Sequence, residues 1–240
     1  MSQSTSRAGT LVVFPGALGD FVCFLPALRA IAEAGDGPIT LLCKAELGDL
    51  ARWAGAADVV ALEGRAASWL FSPEPPPEAD RLFGAFAAIH SFTGAGDPAL
   101  ERNLHRWAGA RGIASPFRPS EAIHAAVHFL RAAGVRAATP PRISLRIPAA
   151  AQAEARARLA AIVNNHPILL VHPGSGAIAK RWSTSGFRSV IADWRREFGP
   201  AAVVLGPAEH DESDRWRALG VPILEPESST ELAALLAVGD

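Results

Sequence analysis

Residues 10–20, with the sequence TLVVFPGALGD, join a short β-forming run to a glycine-bearing turn. The run from Thr10 to Phe14 predicts a strand. From Asp20 to about Glu33, apolar residues return at helical spacing, which predicts a helix. A strand, a tight loop and a helix form the first half of a βαβ unit, so this stretch favours a parallel α/β fold.

The alternation of strand and helix continues along the chain. Further strands are predicted at 39–43, 58–62, 86–91, 167–172, 201–205 and 222–224, and helices at 46–54, 121–133, 149–162, 183–198, 211–219 and 230–237. The proline-rich segment 139–148 is predicted to be a linker. Residues 1–140 then form one Rossmann-like domain, and residues 149–240 form a second, partial one. Two such domains facing each other would place a ligand cleft at the carboxyl ends of their strands.

The composition excludes several classes of protein. The 240 residues carry a formal net charge of −1 and are 49% hydrophobic, which supplies a core but no basic surface for nucleic acid. The sequence has no run of 18 apolar residues, so no transmembrane segment is predicted. Two cysteines without a C-x-x-C spacing argue against a disulfide framework or a structural zinc site and favour a cytoplasmic protein.

Three loops carry candidate chemistry, and each follows a predicted strand. In the first loop, Gly16, Ala17, Leu18 and Gly19 lead into Asp20, where the helix is expected to begin. The glycines allow a ligand to approach the backbone closely. Asp is also a common helix N-cap, and that purely structural interpretation stays open. The loop is neither a dinucleotide fingerprint nor a P-loop.

The second loop, residues 172–182, has the sequence HPGSGAIAKRW. Ser175 and Gly176 precede a predicted helix, whose N-terminus attracts anions, and Lys180 and Arg181 add two cations. The 23 basic residues of the chain include only two lysines, so Lys180 suggests a need for a compact charge. The pattern favours diphosphate binding, and an ordinary solvated loop is the alternative.

The third loop, residues 205–210, has the sequence LGPAEH and places Glu209 after another predicted strand. A carboxylate in that position can accept hydrogen bonds from ribose hydroxyls. An acidic residue at the start of a helix is equally favoured by the helix dipole, so both interpretations stay open.

A fourth group, Glu121, His124 and His128, occupies one face of a predicted helix at spacings of three and four. Such a face could hold a metal ion, but no further ligand completes the set, and a packed or surface-facing helix is the favoured interpretation. The sequence also lacks a D-x-D motif. We therefore expect no metal, and any leaving group would be stabilised by Lys, Arg and the helix dipole.

Taken together, the first three loops resemble those of glycosyltransferase family 9, the ADP-heptose lipopolysaccharide heptosyltransferases. The resemblance lies in FPGALGD at 14–20 with LPAL at 25–28, HPGSG at 172–176 with KRW at 180–182, and LGPAE at 205–209. It implies a GT-B fold of two Rossmann-like domains. It also implies inverting transfer of a heptose-type sugar from an ADP-sugar to lipopolysaccharide or another cell-surface glycan, without metal or other cofactor.

The resemblance further implies a role for each candidate residue. Asp20 would be the catalytic base that takes the proton from the acceptor hydroxyl, with the loop from Gly16 to Gly19 on the acceptor side. Ser175, Gly176 and Lys180 would bind the diphosphate, and Glu209 would hold the ribose. Family acceptors are lipid-anchored, so the implied location is the cytoplasm, which allows peripheral contact with the inner face of the membrane.

One departure from the family concerns the end of the sequence. Family members continue beyond a segment like 230–236 to a D-[ST]-G-x-x-H loop, which these 240 residues lack. The chain is therefore expected to be C-terminally truncated relative to the family. A catalytically inactive nucleotide-binding relative is the alternative function, and self-association through the partial domain is the alternative to a monomer.

Overall fold

The computed structural model describes residues 9–35, 37–162, 167–175, 178–206, 209, 211 and 213–239. The chain divides into two compact units, Met1–Arg146 and Ile147–Asp240. Each unit contains a parallel sheet with helices, so the predicted α/β class with two Rossmann-like units is confirmed. The boundary between the units falls inside the segment 139–148, which contains no strand or helix.

The first unit is built on a five-stranded parallel sheet with the order β3-β2-β1-β4-β5. Its strands are β1 (Thr10–Val13), β2 (Ile39–Cys43), β3 (Asp58–Ala61), β4 (Ala88–Ser91) and β5 (Gly112–Ala114). Its helices are α1 (Leu18–Ala34), α2 (Gly48–Trp53), α3 (Arg65–Leu70), α4 (Pro77–Phe83), α5 (Pro98–Ala108) and α6 (Ala125–Ala132). The strand order reverses between β1 and β4, and sheets of this kind bind ligands at the carboxyl ends of the strands beside that point.

Strand β1 lies in the middle of this sheet and is buried along its whole length. Thr10 is opposite Ile39 of β2 on one side and Ala88 of β4 on the other. Leu11 and Val13 face a core packed by α3, α4 and α5. Five phenylalanines close the carboxyl end of the strand with ring centroids 4.3–6.5 Å apart: Phe14, Phe21, Phe24, Phe92 and Phe129. This packing fixes the start of the loop that leads to Asp20.

The second unit has a three-stranded parallel sheet with the order β6-β7-β8. Its strands are β6 (Leu169–Val171), β7 (Ala201–Val204) and β8 (Ile223–Leu224), and its helices are α7 (Ala149–Ala160), α8 (Thr184–Glu197), α9 (Ser213–Arg217) and α10 (Ser229–Val238). Strand β7 is central and packs between the α7–α10 layer and the α8–α9 layer. The carboxyl ends of β6 and β7 are therefore neighbours, which brings the second and third candidate loops together.

The sequence missed several elements of the first unit. Helices α3, α4 and α5 and strand β5 were not predicted, because each is short or begins within a stretch rich in proline and glycine. Helix α5 nevertheless carries a clear start signal: Asp97 accepts hydrogen bonds from the backbone N–H groups of Ala99 and Leu100. No helix of the described residues combines the length and the apolar content needed to cross a membrane.

Candidate active site

In the first unit, the loop after β1 is held by tight packing against Phe14. Gly16 has no room for a side chain, because a Cβ atom there would lie 2.5 Å from the Phe14 ring and 2.8 Å from the Cβ of Asp20. Ala17 occupies the N-cap position without a side-chain cap, and helix α1 begins at Leu18. The loop therefore presents its backbone and the start of a helix at the carboxyl edge of the sheet.

Asp20 is the third residue of α1, so its interpretation as the N-cap of this helix is wrong. Its side chain is 24% exposed, and its Oδ1 accepts a hydrogen bond of 3.1 Å from Nη1 of Arg118. A carboxylate in the first turn also interacts favourably with the helix dipole. The structure thus gives Asp20 an oriented, partly exposed carboxylate beside the loop.

Arg118 is a residue of this site that the sequence did not single out. It follows β5, and its guanidinium lies 4.6 Å from the centroid of the Phe117 ring, which packs edge-on against Phe14. The side chain is 69% exposed, so the ion pair with Asp20 is weak in energy and serves to orient the carboxylate. The two residues are 98 positions apart in the sequence. Their proximity could have been predicted only if strand β5, which places Arg118 at this edge of the sheet, had been recognised.

Cys23, one helical turn after Asp20, reports on the charge of that carboxylate. Burial, and secondly the Asp20 carboxylate, raise the pKa of the Cys23 thiol. We expect Asp20→Asn to speed the alkylation of Cys23 at pH 8, because removal of the negative charge favours the thiolate. Mass spectrometry of timed reactions measures this rate, and Cys43 is the internal control, since it is buried with a pKa raised to about 11. An unchanged rate for Cys23 would contradict the proximity of the two groups.

The two glycines of the loop should differ sharply when each is replaced by alanine. Gly16→Ala forces a methyl group against the buried Phe14 ring, and we expect it to destabilise the protein by about 1–3 kcal/mol. Gly19→Ala meets nothing within 4 Å and lies inside α1, so it should be neutral or stabilising by up to about 1 kcal/mol. Urea denaturation of the two variants measures the difference. Equal effects would show that Gly16 is not closely packed.

In the second unit, the loop after β6 is tied to its neighbour after β7. His172 donates from Nδ1 to the carbonyl oxygen of Val204 at 2.9 Å. Gly174 lies directly against Glu209, since a Cβ atom at Gly174 would be 2.2 Å from the carboxylate. The carbonyl oxygen of Ser175 accepts from Nε of Arg181 at 3.3 Å. Gly176, also predicted to line this loop, lies outside the described residues.

Lys180 ends a single 3-10 turn, Ile178–Lys180, and its side chain is exposed. It stands shortly before Ser183, the N-cap of α8, whose hydroxyl accepts from the backbone N–H of Gly186 at 3.1 Å. Among the residues that the structure describes, Lys180 forms no ion pair. An exposed ammonium close to the start of a 14-residue helix is an arrangement that attracts a phosphate group.

Glu209 is more deeply buried than a surface ribose-binding carboxylate would need to be. Its side chain is only 4% exposed, its Oε2 accepts from the backbone N–H of Gly206 at 3.0 Å, and its Oε1 lies 3.6 Å from Nη2 of Arg181. Sequence reasoning placed Glu209 at the end of a strand but missed its pairing with Arg181. The neighbouring residues 207, 208 and 210 lie outside the described part of the chain.

The helix face predicted to carry Glu121, His124 and His128 does not form. Helix α6 begins only at Ala125, because the ring of His124 accepts from the backbone N–H of Ala126 and caps the helix. Nε2 of His128 donates to the carbonyl oxygen of Pro116 at 2.7 Å. The described residues contain no cluster of three or more His, Cys, Asp or Glu side chains suited to a metal ion.

Two cavities of the first unit lie away from these loops. One, of about 250 Å³, is lined by the amino-terminal ends of β1, β4 and β5 and by His90, whose pKa is lowered by burial. The other, of about 310 Å³, lies between the outer face of α1 and residues 143–146. Neither contains a candidate site residue. Ligands of parallel sheets bind at the carboxyl ends of the strands, so we assign the site by its chemistry rather than by cavity size.

Comparisons with known proteins identify the fold. No protein-family model matches the sequence, and no curated protein matches it. A glycosyltransferase family 9 structure from Veillonella parvula is similar over 100% of this chain and 75% of its own, with a TM-score of 0.74 and 18% identity. Escherichia coli ADP-heptose lps heptosyltransferase II is similar over 96% of this chain and 77% of its own, with a TM-score of 0.72 and 12% identity.

A third solved structure contains a nucleotide-linked sugar. Escherichia coli heptosyltransferase WaaC with ADP-2-deoxy-2-fluoro heptose is similar over 96% of this chain and 80% of its own, with a TM-score of 0.57 and 17% identity. The three similar structures are a glycosyltransferase family 9 protein and two heptosyltransferases. The similarities establish that the chain has the fold of these glycosyltransferases. The expected GT-B-like fold is thereby confirmed.

Proposed function

We propose that the chain is an inverting, metal-independent glycosyltransferase that uses an ADP-linked, heptose-type sugar donor. The observation that carries this proposal is the paired loop after β6 and β7, with an exposed Lys180 near a helix start and a carboxylate at Glu209. The fold similarity to heptosyltransferases, one of them with an ADP-heptose analogue, supports the same donor class.

On the donor side, each group has a separate task. The backbone at Ser175 and Gly176, the α8 N-terminus and the Lys180 ammonium bind the diphosphate and stabilise the charge that develops on it as the leaving group. Glu209 accepts hydrogen bonds from the ribose. Because cationic groups of the protein perform the charge stabilisation, the reaction needs no metal ion and no other cofactor.

On the acceptor side, Asp20 is the general base. Its carboxylate takes the proton of the acceptor hydroxyl while that oxygen forms a bond to the anomeric carbon of the sugar. The bond between the anomeric carbon and the diphosphate oxygen breaks in the same step, which inverts the configuration and releases ADP. The backbone from Gly16 to Gly19 lines the acceptor, and Arg118 orients the base.

As acceptor we propose lipopolysaccharide or a similar cell-surface glycan, and the fold similarity to an lps heptosyltransferase supports this choice. Such acceptors are lipid-anchored, so we place the enzyme in the cytoplasm with peripheral contact at the inner face of the membrane, acting in lipopolysaccharide biosynthesis.

A transfer assay tests the function. The chain is incubated in EDTA with ADP-heptose and with lipopolysaccharide from a heptose-deficient strain, and mass spectrometry follows the addition of one heptose. We expect heptose transfer by the wild-type chain. ADP binding without any transfer would instead support a catalytically inactive nucleotide-binding relative and would overturn the enzymatic assignment.

A further inference from the structure

The guanidinium of Arg181 joins the two loops of the donor side. Its Nε donates to the carbonyl oxygen of Ser175 after β6, and its Nη2 lies 3.6 Å from Oε1 of Glu209 after β7. The Arg181 side chain is 24% exposed, whereas that of Glu209 is 4% exposed. Arg181 therefore lies between solvent and a buried carboxylate.

Glu209 itself has little freedom to move. Its Oε2 accepts a hydrogen bond from the backbone N–H of Gly206, and Gly174 lies so close that a Cβ atom there would be 2.2 Å from the carboxylate. A buried carboxylate that loses its cation without a replacement is strongly disfavoured. For Oε1 to accept a hydrogen bond from a ribose hydroxyl, the more exposed Arg181 must move away from it. The hydroxyl must then replace the guanidinium as the partner of Oε1.

On the basis of the proposed donor site, we propose that Arg181 is a positioning residue that couples recognition of the diphosphate to recognition of the ribose. Phosphate oxygens bound beside Ser175 draw the guanidinium away from Oε1 of Glu209. A ribose hydroxyl then donates to that oxygen, so the buried carboxylate keeps a partner throughout. Each part of the nucleotide makes the other bind more tightly.

The chemistry of this position requires an arginine. A planar guanidinium holds its Nε and Nη donors in a rigid fork that spans two separate acceptors, whereas the three donors of an ammonium all lie on one nitrogen. The adjacent Lys180 supplies a compact charge to the diphosphate, and Arg181 supplies the link to Glu209. The two neighbouring cations thus have different tasks, which substitutions can separate.

A set of four nucleotides tests the coupling. Calorimetry in EDTA gives the affinities of the chain for ADP, AMP and their 2′,3′-dideoxy forms. In the wild-type chain, we expect removal of the ribose hydroxyls to weaken the binding of ADP about tenfold more than the binding of AMP, within the usual range of coupling between sites. In Arg181→Gln and in Arg181→Lys, removal of the hydroxyls should weaken the binding of ADP and of AMP by the same factor.

The controls separate a lost coupling from a lost fold. Arg188→Gln, on an exposed position of α8, should keep the wild-type pattern, and circular dichroism checks that each variant is folded. The role of Arg181 would be overturned if removal of the hydroxyls weakened ADP and AMP binding equally in the wild-type chain, or if both Arg181 variants retained the coupling. Neither result would contradict the proposed donor site. Failure of the wild-type chain to bind ADP would overturn the proposed function as well.

Discussion

Asp20→Asn is expected to lower the rate of sugar transfer by about a hundredfold or more, while the affinity for ADP stays within about twofold. Asparagine keeps the size of the side chain and can still accept the hydrogen bond from Arg118, but it cannot take the proton of the acceptor hydroxyl. The loss should therefore appear in kcat, because the proton is transferred in the transition state. Initial rates with saturating donor, together with ADP calorimetry, measure both quantities.

A matched control is available in the same unit. Asp49 also lies in the first turn of a helix, α2, and pairs with Arg52 at the surface. Asp49→Asn should retain nearly full activity. Near-normal turnover by Asp20→Asn would show that another group is the base, and a parallel loss in both variants would indicate a general effect on the fold.

Lys180→Gln is expected to weaken ADP binding by about tenfold to a hundredfold and AMP binding by much less. The difference arises because the exposed ammonium near the α8 N-terminus interacts with the charge of the diphosphate. That contribution should fall as salt is added, since exposed charges are screened. Calorimetry with both nucleotides at two salt concentrations measures the effect.

The other lysine of the chain gives the control for this substitution. Lys44 follows β2 in the first unit, so Lys44→Gln removes the same charge from a residue that belongs to neither of the loops after β6 and β7. It should leave ADP affinity unchanged. Equal losses in the two variants would mean that net charge, rather than a specific contact, controls the affinity.

The sequence predicted the elements that carry strong local signals. The strand from Thr10 is specified by a continuous buried run, helix α1 by apolar residues at helical spacing, and the turn between them by the small residue that packing demands at Gly16. Ser183 likewise marks the start of α8 through its own hydroxyl. In these segments, local propensity and tertiary packing favour the same structure.

Other features depend on contacts between distant residues and were missed. Arg118 reaches Asp20 only because β5, a strand of three residues, pairs with β4. The predicted helix at 121–133 starts four residues late because the His124 ring takes the capping position that periodicity could not reveal. The pairing of Arg181 with Glu209 joins loops after two different strands, and no spacing in the sequence encodes it.

The central claim is that the loops after β6 and β7 bind an ADP-linked donor. The most direct test is calorimetric titration of ADP into the 240-residue chain in EDTA, with UDP and GDP titrated under the same conditions. We expect ADP to bind without a metal ion and about tenfold or more tightly than UDP or GDP, because a donor site specific for ADP must discriminate against the other nucleotides. Binding of no nucleotide, or equal binding of all three, would contradict the claim.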